Sequence, residues 1–454
     1  MFLTSDILVG FQEGVVAARQ AELLDELADA TLTRDLVHVD IILATSKSAR
    51  NGIDVLRRAN DLARHPEVRF AEVNMIQQAY LDLVPDDTLF GDQWHHQNTG
   101  QLMGELDFDI DTTDAWNLTT GDNEVVVVIC DTGVEQDHPD INQIGGVDTT
   151  SDGPGTGDPV NSHDDHGTQV AGCVSASINN ELGVAGVAPD ARIASARVAI
   201  QTGASSATFN AFWIADALDW AVDIEARITN HSYHTGFTHS AITAAFEASH
   251  DEGLIHFGAA GNNSESGTIQ YPARLETVNS VASMSRWALR FSSNYGDDLD
   301  FCAPGMSVWT TDRTGTDGYN AGDYAANSGT SFASPVAAGV AALILSAKPT
   351  LTGEQAVEIM RLTATDIGDP GWDDLYGHGM VNALAAVELA LVCPSEYNGD
   401  TEVDVLDLLD FFDDFAACEN QSAPCGTIGE ADFNADTVVD VADFLDFLDA
   451  FGSC

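Results

Sequence analysis

Apolar and polar positions divide the chain into three segments with different periods. In residues 6–76, strand-like runs such as ILVGF, VHVDIIL and VRFAEVNMI alternate with stretches of helical spacing such as VAARQAELLDELAD and GIDVLRRANDLARH. This order predicts a small α+β domain over residues 1–80, of the split βαβ type. The stretch VPDD that follows combines proline with acidic residues and indicates a linker.

The central segment, residues 85–392, has the pattern of an α/β domain. VVVVICD is a continuous apolar run bounded by polar residues, which is typical of a parallel strand buried on both faces. ARIASARV, RITNHSY, LIHFGAAGN and TVNSVASMS are further strand candidates, and helical stretches such as SSATFNAFWIADALDWAVDIEA separate them. Strands that alternate with helices predict a doubly wound parallel sheet.

The last segment, residues 393–454, contains an internal repeat. EYNGDTEVDVLDLLDFF begins at 396 and DFNADTVVDVADFLDFL at 432, an offset of 36 residues. Oxygen-bearing side chains recur at positions 1, 3, 5, 9 and 12 of each repeat, the spacing of an EF-hand-like loop that binds Ca²⁺. The alternative is a pair of acidic amphipathic helices. The predicted Ca²⁺ ligands are Glu396, Asn398, Asp400, Asp404 and Asp407 in the first repeat and Asp432, Asn434, Asp436, Asp440 and Asp443 in the second.

The seven cysteines fall into two groups. Cys130, Cys173 and Cys302 stand among apolar or small residues, which indicates buried free thiols. The other four lie in the last 62 residues and allow three pairings, among which the sequence does not choose. Disulfides in this segment would imply an oxidising, extracytoplasmic location. These four are Cys393, Cys418, Cys425 and Cys454.

Acidic residues outnumber basic ones by 72 to 17, which gives a formal net charge of −55. Such a surface repels nucleic acid and anionic membranes, so no nucleic-acid partner is expected. It suits a salty environment and divalent cations. The apolar runs do not predict a membrane span. No basic and apolar signal segment is visible in the first residues, MFLTSDILVGFQEGVV.

Four short polar blocks carry candidate catalytic chemistry. In SGTSFASP, Ser331 stands at the mouth of an apolar helix, where a serine either caps the helix or acts as an exposed nucleophile. Asp131 ends the strand VVVVICD, and His166 begins a helix of small residues in HDDHGTQVAG. Asn262 follows a strand and the tight glycine Gly261, so its amide can donate to an oxyanion. A nucleophile, a base and an orienting carboxylate together favour covalent catalysis.

DTGV, HGTQVAG, AAGN and GTSFASP, in this order, resemble the motifs of subtilisin-like serine proteases. The resemblance extends over about residues 85–392 and implies that Ser331 attacks the scissile carbonyl. It also implies that His166 transfers the proton, that Asp131 holds the imidazole, and that Asn262 and the Ser331 N–H bind the oxyanion. The subtilisin-like doubly wound fold is expected with it.

The same resemblance implies a substrate site. NHSYHTG resembles the strand that pairs with substrate, with Ser232 before the pocket-lining Tyr233 and with His234 where the family usually has glycine. Gln270, just before YPA, stands near the expected floor of the primary pocket, where subtilisins with a deep pocket carry glycine, so a larger side chain there should shorten the pocket. Gly261 is a further expected substrate-binding residue. The alternative is that the surrounding loops have shifted and that neither Gln270 nor His234 touches substrate.

The loop INNELGV resembles a calcium loop of the family. The resemblance implies carbonyl ligands from Ile178, Leu182 and Val184 and side-chain ligands from Asn180, Asp140 and Asp87. Carbonyl and carboxylate oxygens suit Ca²⁺. The alternative is a plain surface turn.

Residues 1–80 resemble the inhibitory propeptide of these proteases, and the repeats of residues 393–454 resemble dockerin repeats. The leading hypothesis is a serine endopeptidase, secreted or at the cell surface, made as a zymogen and stabilised by Ca²⁺. It would act on protein or peptide substrates, with a possible partner for the tail. The alternative is a non-catalytic surface or scaffold protein that uses the dockerin-like tail for assembly.

Overall fold

The computed structural model describes residues 2–12, 14–36, 41–48, 52–76, 83–153, 155–203, 206–236 and 238–391. These residues form two compact units, one within residues 1–80 and the other within residues 81–392. The predicted calcium ligands and the four cysteines of residues 393–454 lie outside the described residues.

The first unit is a four-stranded antiparallel sheet with two helices. Apolar side chains of both helices, such as Leu23 and Leu62, pack with Ile7 and Val9 of the first strand in one core. Of the predicted strand VHVDIIL, residues 37–40 lie outside the described part of the chain and the last three residues begin β3 (Ile41–Ser46). A strand that precedes this run, residues 30–36, pairs antiparallel with β3. The sheet order is β2-β3-β1-β4. The elements are β1 (Phe2–Phe11), α1 (Ala17–Ala28), β2 (Ala30–Leu36), β3 (Ile41–Ser46), α2 (Gly52–Ala63) and β4 (Val68–Ile76).

The second unit contains the doubly wound parallel sheet that the sequence predicts. Its seven strands have the order β13-β12-β11-β10-β5-β7-β6. The strands of this sheet are β5 (Val126–Asp131), β6 (Val147–Asp148), β7 (Arg192–Arg197), β10 (Ile228–His231), β11 (Ile255–Ala259), β12 (Val278–Met284) and β13 (Phe301–Pro304). Two further pairs of strands form separate hairpins: β8 (Ala199–Gly203) with β9 (Ser206–Phe209), and β14 (Val308–Thr311) with β15 (Tyr324–Asn327). The helices are α3 (Thr112–Ala115), α4 (His166–Ser175), α5 (Ala211–Asp223), α6 (Ser240–Asp251), α7 (Thr330–Ala347), α8 (Gly353–Thr363) and α9 (Ala383–Leu391).

The strand order decides where a site can form. From β5 the chain adds β6 and β7 on one side and β10 to β13 on the other. All six residues of β5 are buried, as the unbroken apolar run VVVICD predicts. In an open parallel sheet, a crevice opens at the carboxyl ends of the strands where the order reverses. Asp131 ends β5 and Ser232 follows β10, so both lie at that edge.

Helix α7 crosses the core and brings a serine to this edge. It packs against β10, β11, β12, β13 and α4. Within the described residues, α7 is the helix whose length and composition would suit a membrane span, but 83% of it is buried inside the protein. Its apolar character is therefore accounted for by the core of the second unit.

Candidate active site

Asp131 and His166 form a hydrogen-bonded pair at the carboxyl edge of the sheet. The Nδ1 atom of His166 lies 3.0 Å from both carboxylate oxygens of Asp131. Asp131 is 3% exposed, and its Oδ1 also accepts from the backbone N–H of Thr132 at 2.7 Å. The helix that carries His166 approaches closely because its second residue is Gly167, where a Cβ would lie 2.4 Å from the carbonyl oxygen of Gly133.

The surroundings of His166 favour its charged form. Burial opposes protonation, but the charge and hydrogen bond of Asp131, and the charge of Asp165, outweigh it and raise the pKa of the imidazole above its usual value. Buried Asp131 thus both orients the ring and stabilises the imidazolium that a base forms when it takes a proton.

Ser331 is the second residue of α7, and its hydroxyl does not cap the helix. Its Oγ donates to the carbonyl oxygen of Ser232 at 3.1 Å. The hydroxyl of Ser232 in turn donates to the carbonyl oxygen of Ser331 at 2.8 Å. The residue before the helix is Gly329, which supplies no side-chain cap. The N–H groups of Phe332 and Ala333 donate to the carbonyl oxygen of Gly329, and that of Thr330 donates to Asn262. Among the described residues, this leaves the N–H of Ser331 available at the mouth of α7.

Asn262 stands beside the same helix end. Its Oδ1 accepts from the backbone N–H of Thr330 at 2.8 Å and from the Thr330 hydroxyl at 3.2 Å. These two contacts engage the oxygen of the amide, and Nδ2 remains its donor. Gly261, the residue before it, has φ +109° and donates its N–H to the Thr330 hydroxyl at 3.2 Å. Thr330 was not singled out by the sequence, although it is the threonine of GTSFASP.

The predicted pocket residues lie in different surroundings. The ring of Tyr233 is 8% exposed, packs 4.6 Å from the Phe209 ring, and its hydroxyl lies 3.0 Å from Nδ1 of His231. The side chain of Gln270 lies against Gly261, where a Cβ would be 2.8 Å from its Cδ. The Oε1 of Gln270 is buried and has no hydrogen-bond partner in the part of the chain that the structure describes. Gln270 is thus brought beside Gly261, and the contacts of Gln270 and Ser232 with substrate stay predictions.

A second cluster joins the loop of residues 178–184 to two buried aspartates. Asp140 is 0% exposed and accepts from Nδ2 of Asn180 at 2.6 Å and from the N–H of Val184 at 3.2 Å. Asp87 is 5% exposed and accepts from the N–H of Asn179 at 2.8 Å, while its Oδ1 is buried with no hydrogen-bond partner among the described residues. The carbonyl of Leu182 accepts from Thr88 at 2.9 Å, which ties this loop to the segment that carries Asp87.

Burial disfavours the charged form of both aspartates. Burial raises the pKa of the Asp87 carboxyl, and the charge of Asp140 adds to the rise. Burial also raises the pKa of Asp140, against the hydrogen bonds of Asn180 and Val184. Within the described part of the chain, no three His, Cys, Asp or Glu side chains are grouped to hold a metal ion. A cation here would therefore need carbonyl and amide oxygens, which the loop that contains Ile178 and Leu182 offers.

Comparison with known proteins places this arrangement in a family. The profile of the subtilase family matches residues 122–379. Subtilisin E of Bacillus subtilis (strain 168) is 30% identical over 387 residues, which cover 84% of this chain and 90% of that protein. The halolysin-like extracellular serine protease Nep of Natrialba magadii is 31% identical over 392 residues, covering 84% of this chain and 67% of Nep.

Solved structures agree with this similarity. A protease from Pseudoalteromonas arctica PAMC 21717 superposes with a TM-score of 0.59 at 31% identity, covering 68% of this chain and 99% of that one. The subtilisin-like fold predicted for the central segment is thereby confirmed. From the family match and the long similarity to subtilisins, the chain belongs to the subtilase family and is a subtilisin-like serine endopeptidase.

Proposed function

We propose that this endopeptidase works through a triad of Asp131, His166 and Ser331, with Asn262 in the oxyanion hole. The observation that carries the proposal is the symmetric contact of His166 Nδ1 with both oxygens of buried Asp131, at the edge where α7 presents Ser331. All four residues stand within residues 122–379, the part of the chain that matches the family. A protease fold without catalytic activity would not need all four of these residues.

The reaction follows from these positions. The Ser331 hydroxyl leaves the carbonyl of Ser232 and donates to Nε2 of His166, which takes its proton as Oγ bonds to the scissile carbonyl carbon. The carbonyl oxygen becomes an oxyanion and accepts from Asn262 Nδ2 and the Ser331 N–H, at the positive end of α7. His166 then gives the proton to the leaving amine as the C–N bond breaks. Water repeats the sequence on the acyl-enzyme and restores the serine.

The substrate is a protein or peptide with a small or medium apolar residue before the scissile bond. Gln270 beside Gly261 supports this, because its side chain occupies space that a deep pocket would need. The ring of Tyr233 packs toward the core, so its contribution to a substrate would come from its backbone. Specificity for large aromatic residues is not expected.

Calcium is the cation that the second cluster fits. The unpartnered Oδ1 of buried Asp87 and the mutual repulsion of Asp87 and Asp140 are what a divalent cation would relieve. Bound there, Ca²⁺ supplies structural cross-linking rather than chemistry. The residues that would hold it are Asp87, Asp140, the Asn180 side chain and the carbonyls of Ile178, Leu182 and Val184.

The first unit acts as an inhibitory propeptide, and the enzyme is secreted. The similarity to subtilisin E covers 84% of this chain, more than the chain holds after residue 80, so it includes part of the first unit. Nep is named as an extracellular protease, which supports secretion of this one. The calcium-binding and partner-binding roles of the dockerin-like tail remain proposals from its repeat.

A serine-directed fluorophosphonate tests the triad. We expect stoichiometric labelling of the processed protein at Ser331 and none in Ser331→Ala. Ser328→Ala is the matched control, because Ser328 lies just before α7 and its hydroxyl accepts from the N–H of Ser307 at 2.8 Å. Retained labelling in Ser331→Ala, or no labelling of the processed wild type, would refute the assignment.

A further inference from the structure

A fully buried arginine lies beside the proposed triad. Arg197 ends β7, is 0% exposed, and is the register partner of Asp131 in the neighbouring strand. The next residue, Val198, donates its N–H to the carbonyl of Asp131 at 2.8 Å. We propose that Arg197 is a positioning residue that sets the placement of His166 relative to Asp131. This inference rests on the triad proposed above.

One arm of Arg197 reaches the Asp131 side of the pair. Its Nε donates to the carbonyl oxygen of Thr132 at 3.2 Å. The N–H of Thr132 donates to Oδ1 of Asp131 at 2.7 Å, and its hydroxyl accepts from the N–H of Gly167 at 3.1 Å. Gly167 directly follows His166. Thr132 is therefore hydrogen-bonded both to Asp131 and to the residue that follows His166. Arg197 in turn fixes the carbonyl group of Thr132.

The second arm reaches the loop that leads into His166. Nη2 of Arg197 donates to Oδ2 of Asp164 at 2.8 Å, and Asp164 is also 0% exposed. The same oxygen accepts the N–H groups of Val160 and Asn161, at 3.1 Å and 3.0 Å. The other oxygen accepts from the N–H of Gln201 at 2.9 Å. Asp164 thus organises the turn two residues before His166, and Arg197 anchors it.

The third group of contacts fixes the guanidinium itself. Nη1 donates to Oδ2 of Asp148 at 3.1 Å, to the hydroxyl of Thr150 at 2.6 Å, and to Asp152. These partners come from β6 and the loop after it, so the arginine is held from a third direction. A guanidinium presents five donors in a rigid fork, whereas a lysine ammonium is a single point charge on a flexible stem. Arginine is therefore the side chain that can serve all three directions together.

Small displacements matter at this place. A catalytic group misplaced by about 1 Å can cost a factor of about a hundred in rate. Without the guanidinium of Arg197, its hydrogen bonds to Thr132 and Asp164 are lost. The segments next to Asp131 and His166 could then move independently of one another. The expected defect is therefore in the chemical step of each active molecule, while substrate binding at the other walls of the cleft is retained.

The experiment compares Arg197→Lys and Asp164→Asn with wild type in the full chain. Active serines are counted by fluorophosphonate titration, and kcat per active serine, KM and the pH profile of kcat/KM are measured on a peptide substrate. Arg227→Lys is the matched control. Arg227 also donates to backbone carbonyls, those of Pro349 and Leu351, but it precedes β10 at the opposite edge of the sheet.

We expect both variants to lose about ten- to a hundredfold in kcat per active serine, with KM changed less than about twofold. The acid limb of the profile should move to lower pH, since a displaced His166 loses part of the support of Asp131. If the substitutions only impair folding, they lower the number of active serines but leave kcat per active serine and the acid limb unchanged. That result would overturn the proposal. If Arg197→Lys does not fold, Asp164→Asn alone decides in the same way. Wild type that fails to label would instead refute the triad.

Discussion

Ser331 and Ser232 exchange two hydrogen bonds, each hydroxyl donating to the other residue's backbone carbonyl, at 3.1 Å and 2.8 Å. Ser232 also accepts from Nδ2 of Asn230 at 2.8 Å, and Oδ1 of Asn230 accepts from the hydroxyl of Ser334 at 2.6 Å. The start of α7 is therefore tied to the end of β10 through its backbone and its second turn. In the proposed mechanism, the Ser331 hydroxyl turns toward His166 while the backbone that carries its N–H stays in place for the oxyanion.

Asn262→Ala should lower kcat about a hundredfold or more, equivalent to about 3 kcal/mol, with KM almost unchanged. The amide Nδ2 would act on charge that develops only in the transition state. Steady-state kinetics on a peptide substrate measure the two parameters separately. Asn263→Ala, at the next exposed position, is the control. A variant whose only defect is a higher KM would show that Asn262 contacts the ground state instead.

The acid limb of kcat/KM should lie above the usual pKa of histidine. Only the neutral imidazole can take the Ser331 proton, so activity falls as the pH drops through the pKa of folded His166. Asp131 raises that pKa, which moves the loss to higher pH. Asp131→Asn should shift the limb to lower pH and reduce kcat by about 10⁴. An unchanged midpoint in this variant would show that Asp131 does not support the imidazolium.

Removal of calcium should lower the melting temperature of the second unit. Without the ion, buried Asp87 and Asp140 repel one another, and a ligand that binds only the folded state stabilises it by mass action. The measurement is thermal melting, with and without EDTA, of a chain that ends at residue 391, so that the tail repeats do not contribute. In Asp140→Asn the effect of EDTA should shrink. A melting temperature that EDTA leaves unchanged would rule out a structural calcium site in the loop of residues 178–184.

Gln270→Gly should extend cleavage to large aromatic residues before the scissile bond. The substitution removes the side chain that lies against Gly261 and lengthens the pocket. Profiling on a peptide library compares the variant with wild type, which should prefer small or medium apolar residues. Wild type that already cleaves mainly after Phe or Tyr would contradict the assignment of Gln270 to the pocket floor.

Maturation should cut the chain between residues 76 and 86. The proposed propeptide includes the strand β4 (Val68–Ile76), the last described element of the first unit, so the cut should follow this strand. Asp87 is needed on the mature side if it binds calcium. The cleavage segment and the proposed active site belong to one chain, and tethering raises the effective concentration of the segment, so the cut should be autocatalytic.

N-terminal sequencing of wild type and of Ser331→Ala tests this. Wild type should yield a new N-terminus within residues 76–86, and Ser331→Ala should stay full length. A wild-type N-terminus well beyond Asp87, or processing of Ser331→Ala in a protease-free preparation, would contradict self-processing at this junction.

Local patterns in the sequence determined the elements and the residue types of the site. The apolar run VVVICD predicted the central strand because a strand buried on both faces needs apolar residues at every position. The sequence also allowed the four candidate catalytic residues to be singled out. Each stands in a short block that contains a glycine and lies at the predicted end of a strand or start of a helix; they are Asp131, His166, Asn262 and Ser331. The strand β2 (Ala30–Leu36) was not predicted, because it is stabilised by pairing with β3 and not by a pattern within its own residues.

The tertiary structure alone decided which partners these side chains meet. Arg197 and Thr132 are 65 residues apart in the sequence, and the register of β7 beside β5 brings them together. The hydroxyl of Ser331 meets Ser232 across 99 residues, and the ring of Tyr233 turns to Phe209 rather than outward. Such contacts depend on strand register and on side-chain rotamers, which are set by packing of the whole core and leave no period or spacing in the sequence.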